Sequence, residues 1–461
     1  AGSTTGSLAS TTVVNNANLV YLVNGAGDNS LIAALPSSLT GTGNLTLNST
    51  TGHYNLTGNI SQGNINITTQ AGTVYSGLKT NGADRTLTAS TITMNGIIGD
   101  ATGTRTLTLD TSAANGAINL NLQTGASMRT YGLHLVANAG TGNITWSGSN
   151  VANAWNTNVT LTGALNISSN LTPAASVFNA TGNSSISGNL TLGSSTSNAW
   201  TVGSGLTMTV SGIVAGTSSA ITKNGTGTLT LSANNTYTGA TTINAGTLQI
   251  TSGGQLGSGS YSQNISNSGS FIYSSTQTQI LSGNITGTGS LTKNNTGTLI
   301  LTGENGYNGA TTVSGGTLAI SGNITSSALT LNSGAIISAG NSTDVKKFST
   351  ASLTIAGGSG YNFTIGNVGA SVAGTDYDQL TATGALTLSN TAASPFTVYL
   401  NGTPTGWSNV GTYSWNFISA ASVTGFSSGN FALNTSQFGI ASANRTGTWS
   451  FSNAGGNITL N

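Results

Sequence analysis

The stretch ITKNGTGTLTLSANNTYTGATTINAGTLQI, residues 221–250, recurs 70 residues later as LTKNNTGTLILTGENGYNGATTVSGGTLAI, residues 291–320. About 18 of the 30 positions are identical at a constant offset. Self-similarity at a fixed period indicates stacked units, each of which buries its apolar face only against its neighbours. The repeat therefore predicts a solenoid.

The spacing of apolar residues within the repeat indicates short strands. Leu229 and Leu231 are separated and flanked by threonine and serine, which is the period of two expected for a strand with one buried face. Clusters of asparagine and glycine between such segments mark tight corners. Leu229 recurs as Leu248, and Leu299 as Leu318, so we expect one rung to take about 19 residues. Leucine, isoleucine and valine should fill a narrow core, with threonine, serine and asparagine outside or in ladders along the axis.

The composition excludes several classes of protein. Charged residues make up 4% of the 461 residues and the formal net charge is +1, so the basic surface that nucleic acid requires is not expected. The chain has no cysteine, which excludes disulfides and thiolate metal sites. No segment has the roughly 18 uninterrupted apolar residues of a membrane helix. We therefore expect no nucleic-acid partner and no membrane insertion.

The beginning of the chain is typical of a mature secreted protein. It opens AGSTTGSLASTTVV at Ala1, without the basic region and apolar run of a signal peptide. We expect an extracellular or bacterial cell-surface chain whose signal peptide has been removed.

The repeat resembles the autotransporter-associated β-strand repeat proteins of bacterial surfaces. The resemblance is carried by GTGTLTLSANNTYTGATTINAGTLQI at 225–250, TGTLILTGENGYNGATTVSGGTLAI at 296–320 and the lead-in LSGNITGTGSLTK at 281–293, and more weakly by residues 329–334, 338–342 and 376–380. It implies a right-handed parallel β-helix exported to the cell exterior, in a family with many adhesive or structural members. The translocating barrel of many such proteins is missing from this sequence. Cleavage, a shorter sequence and another secretion route all remain open as explanations.

Composition divides the chain into three predicted parts. Residues 1–40 contain the apolar run LVYLV and are predicted to form an N-terminal cap or a donated strand. Residues 41–344 repeat short apolar–polar–apolar segments and are predicted to form the solenoid. Residues 345–461 hold most of the phenylalanines and half of the tryptophans. We expect this aromatic-rich part to be a C-terminal β cap or small β-domain, with a binding surface as the alternative.

Charged residues are too few to suggest much chemistry. Carboxylates on neighbouring coils would suit a polysaccharide lyase or glycosidase, whereas aspartate beside glycine is ordinary corner chemistry, which we favour. His53 and His134 stand alone in the sequence, without a nearby histidine or carboxylate pair. We expect no catalytic residue and no cofactor. The one charged cluster consists of Lys79, Asp84, Arg85, Asp100, Arg105 and Asp110.

Asp376 and Asp378 form the one close acidic pair. Oxygen-rich corners bind calcium when several carboxylates converge. Two carboxylates make a weak calcium candidate, and no other metal site is predicted.

Three functions remain open. We favour a non-catalytic extracellular subunit that self-assembles into a surface fibre, sheath or matrix, because strand-forming ends with little charge tend to pair with another copy. The alternative is a monomeric adhesin passenger that binds a cell-surface or polysaccharide ligand. The third is a β-helix enzyme acting on polysaccharide through Asp84, Asp100 or Asp110. The predicted assembly strand, donated to a neighbouring subunit, comprises Leu19, Val20, Tyr21, Leu22 and Val23.

Overall fold

The chain divides into two units, Ala1–Gly239 and Ala240–Asn461. The structure is a computed structural model that describes residues 12–23, 32–35, 38–49, 53–55, 59–69, 78–79, 83–96, 105–122, 133–147, 159–168, 170–194, 198–341, 344–369, 372–445 and 447–461. Every regular element in these ranges is a β-strand, apart from three short 3₁₀ turns. The turns are Gly257–Gly259, Ser428–Asn430 and Ser442–Asn444.

The first unit contains strands β1 to β23. Most are short because a corner follows every few residues. Their bounds are β1 Thr12–Val14, β2 Asn18–Val23, β3 Ile32–Ala34, β4 Ser38–Thr40, β5 Asn44–Ser49, β6 His53–Asn55, β7 Asn59–Ser61, β8 Asn64–Thr69, β9 Leu78–Lys79, β10 Arg85–Thr88, β11 Thr91–Gly96, β12 Arg105–Asp110, β13 Ile118–Leu122, β14 Leu133–Ser147, β15 Val159–Ile167, β16 Ser176–Ala180, β17 Ser184–Ile186, β18 Leu190–Thr191, β19 Asn198–Val202, β20 Thr207–Val210, β21 Val214–Ala215, β22 Ile221–Asn224 and β23 Thr228–Leu231.

The strands of the first unit stack into parallel ladders. One ladder runs β1–β4–β7–β10–β12–β14–β15–β16–β19–β22. A second runs β2–β5–β8–β11–β13–β14–β15–β17–β20–β23. Shorter pieces on a third face are β3–β6–β9 and β18–β21. Stacked parallel ladders joined by corners are the architecture of a β-solenoid.

The second unit contains strands β24 to β44. Their bounds are β24 Thr241–Ile243, β25 Thr247–Ser252, β26 Ser260–Tyr261, β27 Ile265–Asn267, β28 Ser270–Ser275, β29 Gln279–Leu281, β30 Ile285–Thr286, β31 Ser290–Lys293, β32 Thr298–Leu301, β33 Thr311–Val313, β34 Gly316–Ile320, β35 Ile324–Leu331, β36 Ala335–Ala339, β37 Lys347–Ala356, β38 Gly360–Thr364, β39 Gln379–Ser389, β40 Phe396–Gly402, β41 Trp415–Thr424, β42 Phe431–Phe438, β43 Phe451–Ala454 and β44 Asn457–Leu460.

Three parallel ladders also form the second unit. The first is β24–β27–β30. The second is β25–β28–β31–β33–β35–β37–β39–β41. The third is β26–β29–β32–β34–β36–β38–β40–β42. The second ladder then ends in antiparallel pairs, β41 with β44 and β44 with β43.

The two sequence repeats occupy different faces of the coil. Strands β24 and β33 are equivalent in sequence, yet β24 lies in the first ladder of the second unit and β33 in the second ladder of that unit. Likewise β25 lies in the second ladder and its equivalent β34 in the third. The 70-residue offset therefore corresponds to three coils and one further face. One sequence motif can build any face because its contacts are local.

The predicted all-β parallel solenoid is confirmed, and the predicted rung of about 19 residues holds within the second repeat. Leu299 is the register partner of Leu318, and both side chains are buried. Rungs elsewhere are longer: Asn64 pairs with Thr91 in the first unit, and Tyr361 pairs with Val398 near the C-terminus. Aromatic rings there pack together, with Tyr361 and Phe417 centroids 6.1 Å apart. Right-handedness, the capping role of residues 345–461 and the divisions at residues 40 and 344 stay predictions.

The predicted polar ladder is present on the first unit. Asn44 Nδ2 donates to Asn18 Oδ1 at 2.8 Å, and Asn64 Nδ2 donates to Asn44 Oδ1 at 2.8 Å. Thr91 Oγ1 continues the series by donating to Asn64 Oδ1 at 2.6 Å. These four residues are register partners on successive strands. Side-chain amides thus repeat the backbone ladder on an exposed face.

Candidate functional site

A buried lysine occupies the same corner in both repeats. Lys293 is fully buried, and its Nζ donates to the carbonyls of Asn294 at 2.7 Å, Asn295 at 2.8 Å and Gly315 at 3.0 Å. Lys223 is also fully buried, and its Nζ donates to the carbonyls of the two residues that follow it, at 2.8 and 2.7 Å. Each ammonium therefore ties together carbonyl groups at a corner where the backbone cannot form a ladder.

A buried asparagine provides the second repeated tie. Asn305 Nδ2 donates to the carbonyl of Gly303 at 2.7 Å, while its Oδ1 accepts from the amide of Ile285 on the preceding rung at 2.9 Å. Asn235 does the same with Ala233 and Val214, at 2.7 and 3.0 Å. The identical lysines and asparagines of the repeat are thus structural, because each satisfies backbone groups that burial would otherwise leave without partners.

The outer edge of β1 and β2 is the first candidate interaction surface. The inner edges pair with β4 and β5, and no described strand pairs with the outer edges. Val14 and Val20 are 66% and 55% exposed. The predicted assembly strand lies in β2 and pairs with Leu45–Ser49 of its own chain. It comprises Leu19, Val20, Tyr21, Leu22 and Val23.

An aromatic pocket of about 310 Å³ in the second unit is the other candidate surface. The ring centroids of Trp407 and Tyr413 are 4.9 Å apart, and those of Tyr413 and Trp415 are 5.6 Å apart. Trp449 completes the group at 6.2 Å from Trp415 and 6.3 Å from Trp407. All four pairs are stacked, with interplanar angles of 19° to 29°.

The rim of the aromatic pocket is polar and carries one charge. Amides, hydroxyls and backbone from Ser408, Asn409, Asn444 and Asn461 line it together with the exposed Val410, and Arg445 has the one charged side chain among the lining residues. Aromatic faces with a few polar groups above them are a common composition for small-molecule sites.

Comparison with known families bears directly on the repeat. Residues 221–250 and 291–320 match the family model described as the passenger-associated-transport-repeat. The chain carries two copies of the autotransporter passenger repeat. The resemblance seen in the sequence is therefore confirmed, while no curated protein matches the chain.

Passenger repeats within a β-solenoid fit an autotransporter passenger domain, and they imply a secreted or surface location. Within the described residues, no helix has the length and apolar character needed to cross a membrane.

The two candidate calcium ligands lie beyond the passenger repeats, and their oxygens accept hydrogen bonds from N–H groups. Asp378 Oδ1 and Oδ2 accept from the backbone amides of Lys346 at 2.7 Å and Thr364 at 2.8 Å. Asp376 accepts from the Asn367 side chain at 3.2 Å and the Val372 amide at 2.7 Å. No group of three or more His, Cys, Asp or Glu side chains suited to a metal occurs among the described residues. The pair ties loops together in this structure.

Burial shifts the pKa of Asp378 and of the two passenger-repeat lysines in opposite directions. Desolvation raises the pKa of Asp378 to about 8, against the effect of its two amide donors. Desolvation lowers the pKa of Lys223 and of Lys293 to about 8.

These shifts predict that stability is lowest near pH 8. Between about pH 4 and 8 Asp378 holds a proton in the folded chain and not in the unfolded chain, so stability falls as the pH rises. Between about pH 8 and 10.5 the lysines hold fewer protons in the folded chain than in the unfolded chain, so stability rises with pH. We expect the free energy of unfolding to fall by about 3 kcal/mol between pH 5 and 8, since one pKa unit corresponds to about 1.4 kcal/mol and the lysines begin to offset the loss near pH 8. Unfolding by circular dichroism across this range measures it. In Asp378→Asn the free energy of unfolding should change much less between pH 5 and 8. An unchanged pH dependence in that variant would show that Asp378 is not its source.

The predicted charged cluster is only partly described. Asp84 Oδ1 accepts from the amide of Thr106 at 2.8 Å, and Asp110 Oδ1 accepts from the amide of Ser112 at 2.9 Å. The Asp110 contact is an ordinary local corner hydrogen bond, and the Asp84 contact joins two neighbouring rungs. Arg85 and Arg105 begin β10 and β12. Asp100 and the side chains of Lys79 and His53 lie outside the described residues, and His134 is half-buried in β14.

Sequence reasoning missed the passenger-repeat lysines and the pocket. Lys223 and Lys293 are identical in the two repeats, and this identity was the available signal, since an exposed lysine has no reason to recur. The pocket gave only the general signal of aromatic enrichment after residue 345.

Proposed function

We propose that this chain is a non-catalytic extracellular structural protein whose copies assemble end to end into a surface fibre, sheath or matrix. The observation that carries the proposal is the outer edge of β1 and β2. A strand edge presents a row of N–H and C=O groups that pair readily with another chain. Residues 12–23 contain neither a charged residue nor a proline to guard against such pairing.

The side chains on this edge favour the same conclusion. Val14 and Val20 are mainly exposed, and covering them with a second copy would remove apolar surface from water. The Nδ2 group of Asn18, where the asparagine ladder ends, has no hydrogen-bond partner among the described residues. A strand added by a second copy would extend both the backbone ladder and this amide ladder.

Charge placed on the edge is expected to prevent assembly. We expect filaments of the unmodified chain in negative-stain electron microscopy and a high mass in light scattering of the same sample. The double variant Val14→Lys, Val20→Lys should remain dispersed, because lysine on an edge strand opposes pairing. Val372→Lys is the matched control, since Val372 is 52% exposed and lies outside the strands, and it should assemble. A dispersed unmodified chain at high concentration would overturn the proposal.

A monomeric adhesin passenger is the second candidate function. The observation that favours it is the aromatic pocket, because adhesion requires a surface that selects a ligand. Dispersed particles together with ligand binding at the pocket would favour this function over assembly.

The absence of catalysis stays part of the proposal. It is supported by the hydrogen bonds that Asp84 and Asp110 accept from backbone amides, which occupy one oxygen of each carboxylate, whereas an enzyme directs its carboxylates at the substrate. The proposal would be contradicted if the unmodified chain depolymerised a polysaccharide and the double variant Asp84→Asn, Asp110→Asn did not.

A further inference from the structure

We infer that the aromatic pocket of the second unit binds a saccharide that carries a carboxylate, with the sugar ring against the tryptophans and the carboxylate against Arg445. This inference goes beyond the assembly proposal and does not depend on it, because the pocket and the β1–β2 edge share no residue. It assigns a site and a ligand class to the aromatic-rich part of the chain.

The aromatic rings supply a surface suited to a pyranose. Trp407, Tyr413 and Trp449 are half-buried, so part of each ring reaches the pocket while the rest packs against Trp415 and Phe438. The face of an aromatic ring carries partial negative charge and attracts the weakly positive C–H hydrogens of a sugar ring. Trp407 Nε1 already donates to the carbonyl of Asn444 at 2.9 Å, which fixes the orientation of that ring before a ligand arrives.

Arg445 gives the pocket its preference for a carboxylate. Its guanidinium lies 5.9 Å from the Phe438 ring centroid, and its Nη1 reaches the carbonyl of Thr435 at a long 3.4 Å. Its buried Nε has no hydrogen-bond partner. A guanidinium has five N–H donors in a fork that fits a carboxylate. The cation is therefore positioned by packing, with most of its donor capacity unused by the described residues.

Charge balance supports the same ligand class. No acidic side chain lines the pocket, although the chain has nearly as many acidic as basic residues. A neutral sugar would leave Arg445 without a counter-charge, and an aromatic ligand would not use the polar rim. A hexuronic-acid residue presents an apolar ring face, hydroxyls for polar groups of the rim such as the Asn444 side chain, and one carboxylate for Arg445.

The test is a fluorescence titration of the full chain with digalacturonic acid and, separately, with neutral galactobiose. Three of the six tryptophans line the pocket, so binding should change tryptophan emission saturably. We expect the acidic disaccharide to bind at least about tenfold more tightly than the neutral one. Its binding should weaken as salt rises from about 0.05 to 0.5 M, because salt screens the charges.

Two variants separate the parts of the inference. Arg445→Gln should weaken the binding of digalacturonic acid about tenfold and leave the binding of galactobiose unchanged. Lys347→Gln removes an equal charge from an exposed position outside the pocket and should change the binding of neither sugar. Trp449→Ala should weaken both sugars, with circular dichroism confirming the fold. Failure of both sugars to bind overturns the inference, and so does equal binding of the two with no effect of Arg445→Gln. Filament formation has no bearing on either outcome.

Discussion

Replacing Gly316 by alanine is expected to lower the free energy of unfolding by about 3 kcal/mol or more, as backbone strain and overpacking combine. Gly316 has a φ of +63°, a conformation that only glycine adopts at little cost. An added Cβ would lie 2.7 Å from Lys293 Nζ and closer still to the carbonyl oxygens of Asn295 and Gly297. The glycine thus makes room for the lysine corner, which explains why Gly and Lys recur together in the passenger repeat.

Two other glycines of the second unit provide graded controls. Gly334 has a φ of +79° but open space around its Cα, and Gly306 has open space without a positive φ. We expect Gly334→Ala to cost about 1 kcal/mol from strain alone and Gly306→Ala close to nothing. Thermal and denaturant unfolding followed by circular dichroism rank the three. Equal losses for Gly316→Ala and Gly334→Ala would show that crowding at the lysine corner is unimportant.

The alternation of apolar and polar residues was enough to predict the fold. In β23 it correctly assigned Leu229 and Leu231 to the core, and the recurrence of leucine gave the rung that pairs Leu299 with Leu318. This works because a strand side chain has only two directions, so a period of two determines which face is buried. The sequence also predicted that threonine, serine and asparagine lie outside or form ladders, but it did not predict which residues form the ladder.

Other features depend on properties that are not local. The face on which a repeat lies depends on how many residues each preceding corner uses, and corners of different length separate the two copies; β25 and β34 therefore lie in different ladders. The burial of Lys293 requires three carbonyls to converge on one point, including that of Gly315 from the next rung. A single lysine letter in a polar context carries no sign of that convergence.

The aromatic pocket is the clearest case of a site that the sequence conceals. Its rings come from residues 407–415 and from Trp449, and its cation is Arg445. Segments this far apart meet because β44 returns antiparallel onto β41, which breaks the parallel pattern of the solenoid. Sequence periodicity predicts how far the parallel strands continue. It does not predict the structure that forms where the periodicity ends.

Replacing Leu299 by alanine is expected to cost about 3 kcal/mol, because a buried leucine is lost and the packed rungs close the cavity only partly. Leu299 and its register partner Leu318 are both buried, so Leu318→Ala should cost a similar amount. The neighbouring Ile300 is half-buried on the other side of the same strand. Ile300→Ala therefore controls for strand propensity and chain position, and should cost about 1 kcal/mol or less.

The pattern of the loss distinguishes a solenoid from a globular core. In a stack each rung contacts only its neighbours, so a weakened rung opens locally before the whole unit unfolds. Hydrogen exchange in Leu299→Ala should accelerate first in β32 and its partners β29 and β34, while β43 and β44 keep their protection. The double variant Leu299→Ala, Leu318→Ala should be non-additive by at least about 0.5 kcal/mol, as expected for side chains in contact. Uniform acceleration across the unit, or an Ile300→Ala loss equal to that of Leu299→Ala, would contradict inward stacking as the source of stability.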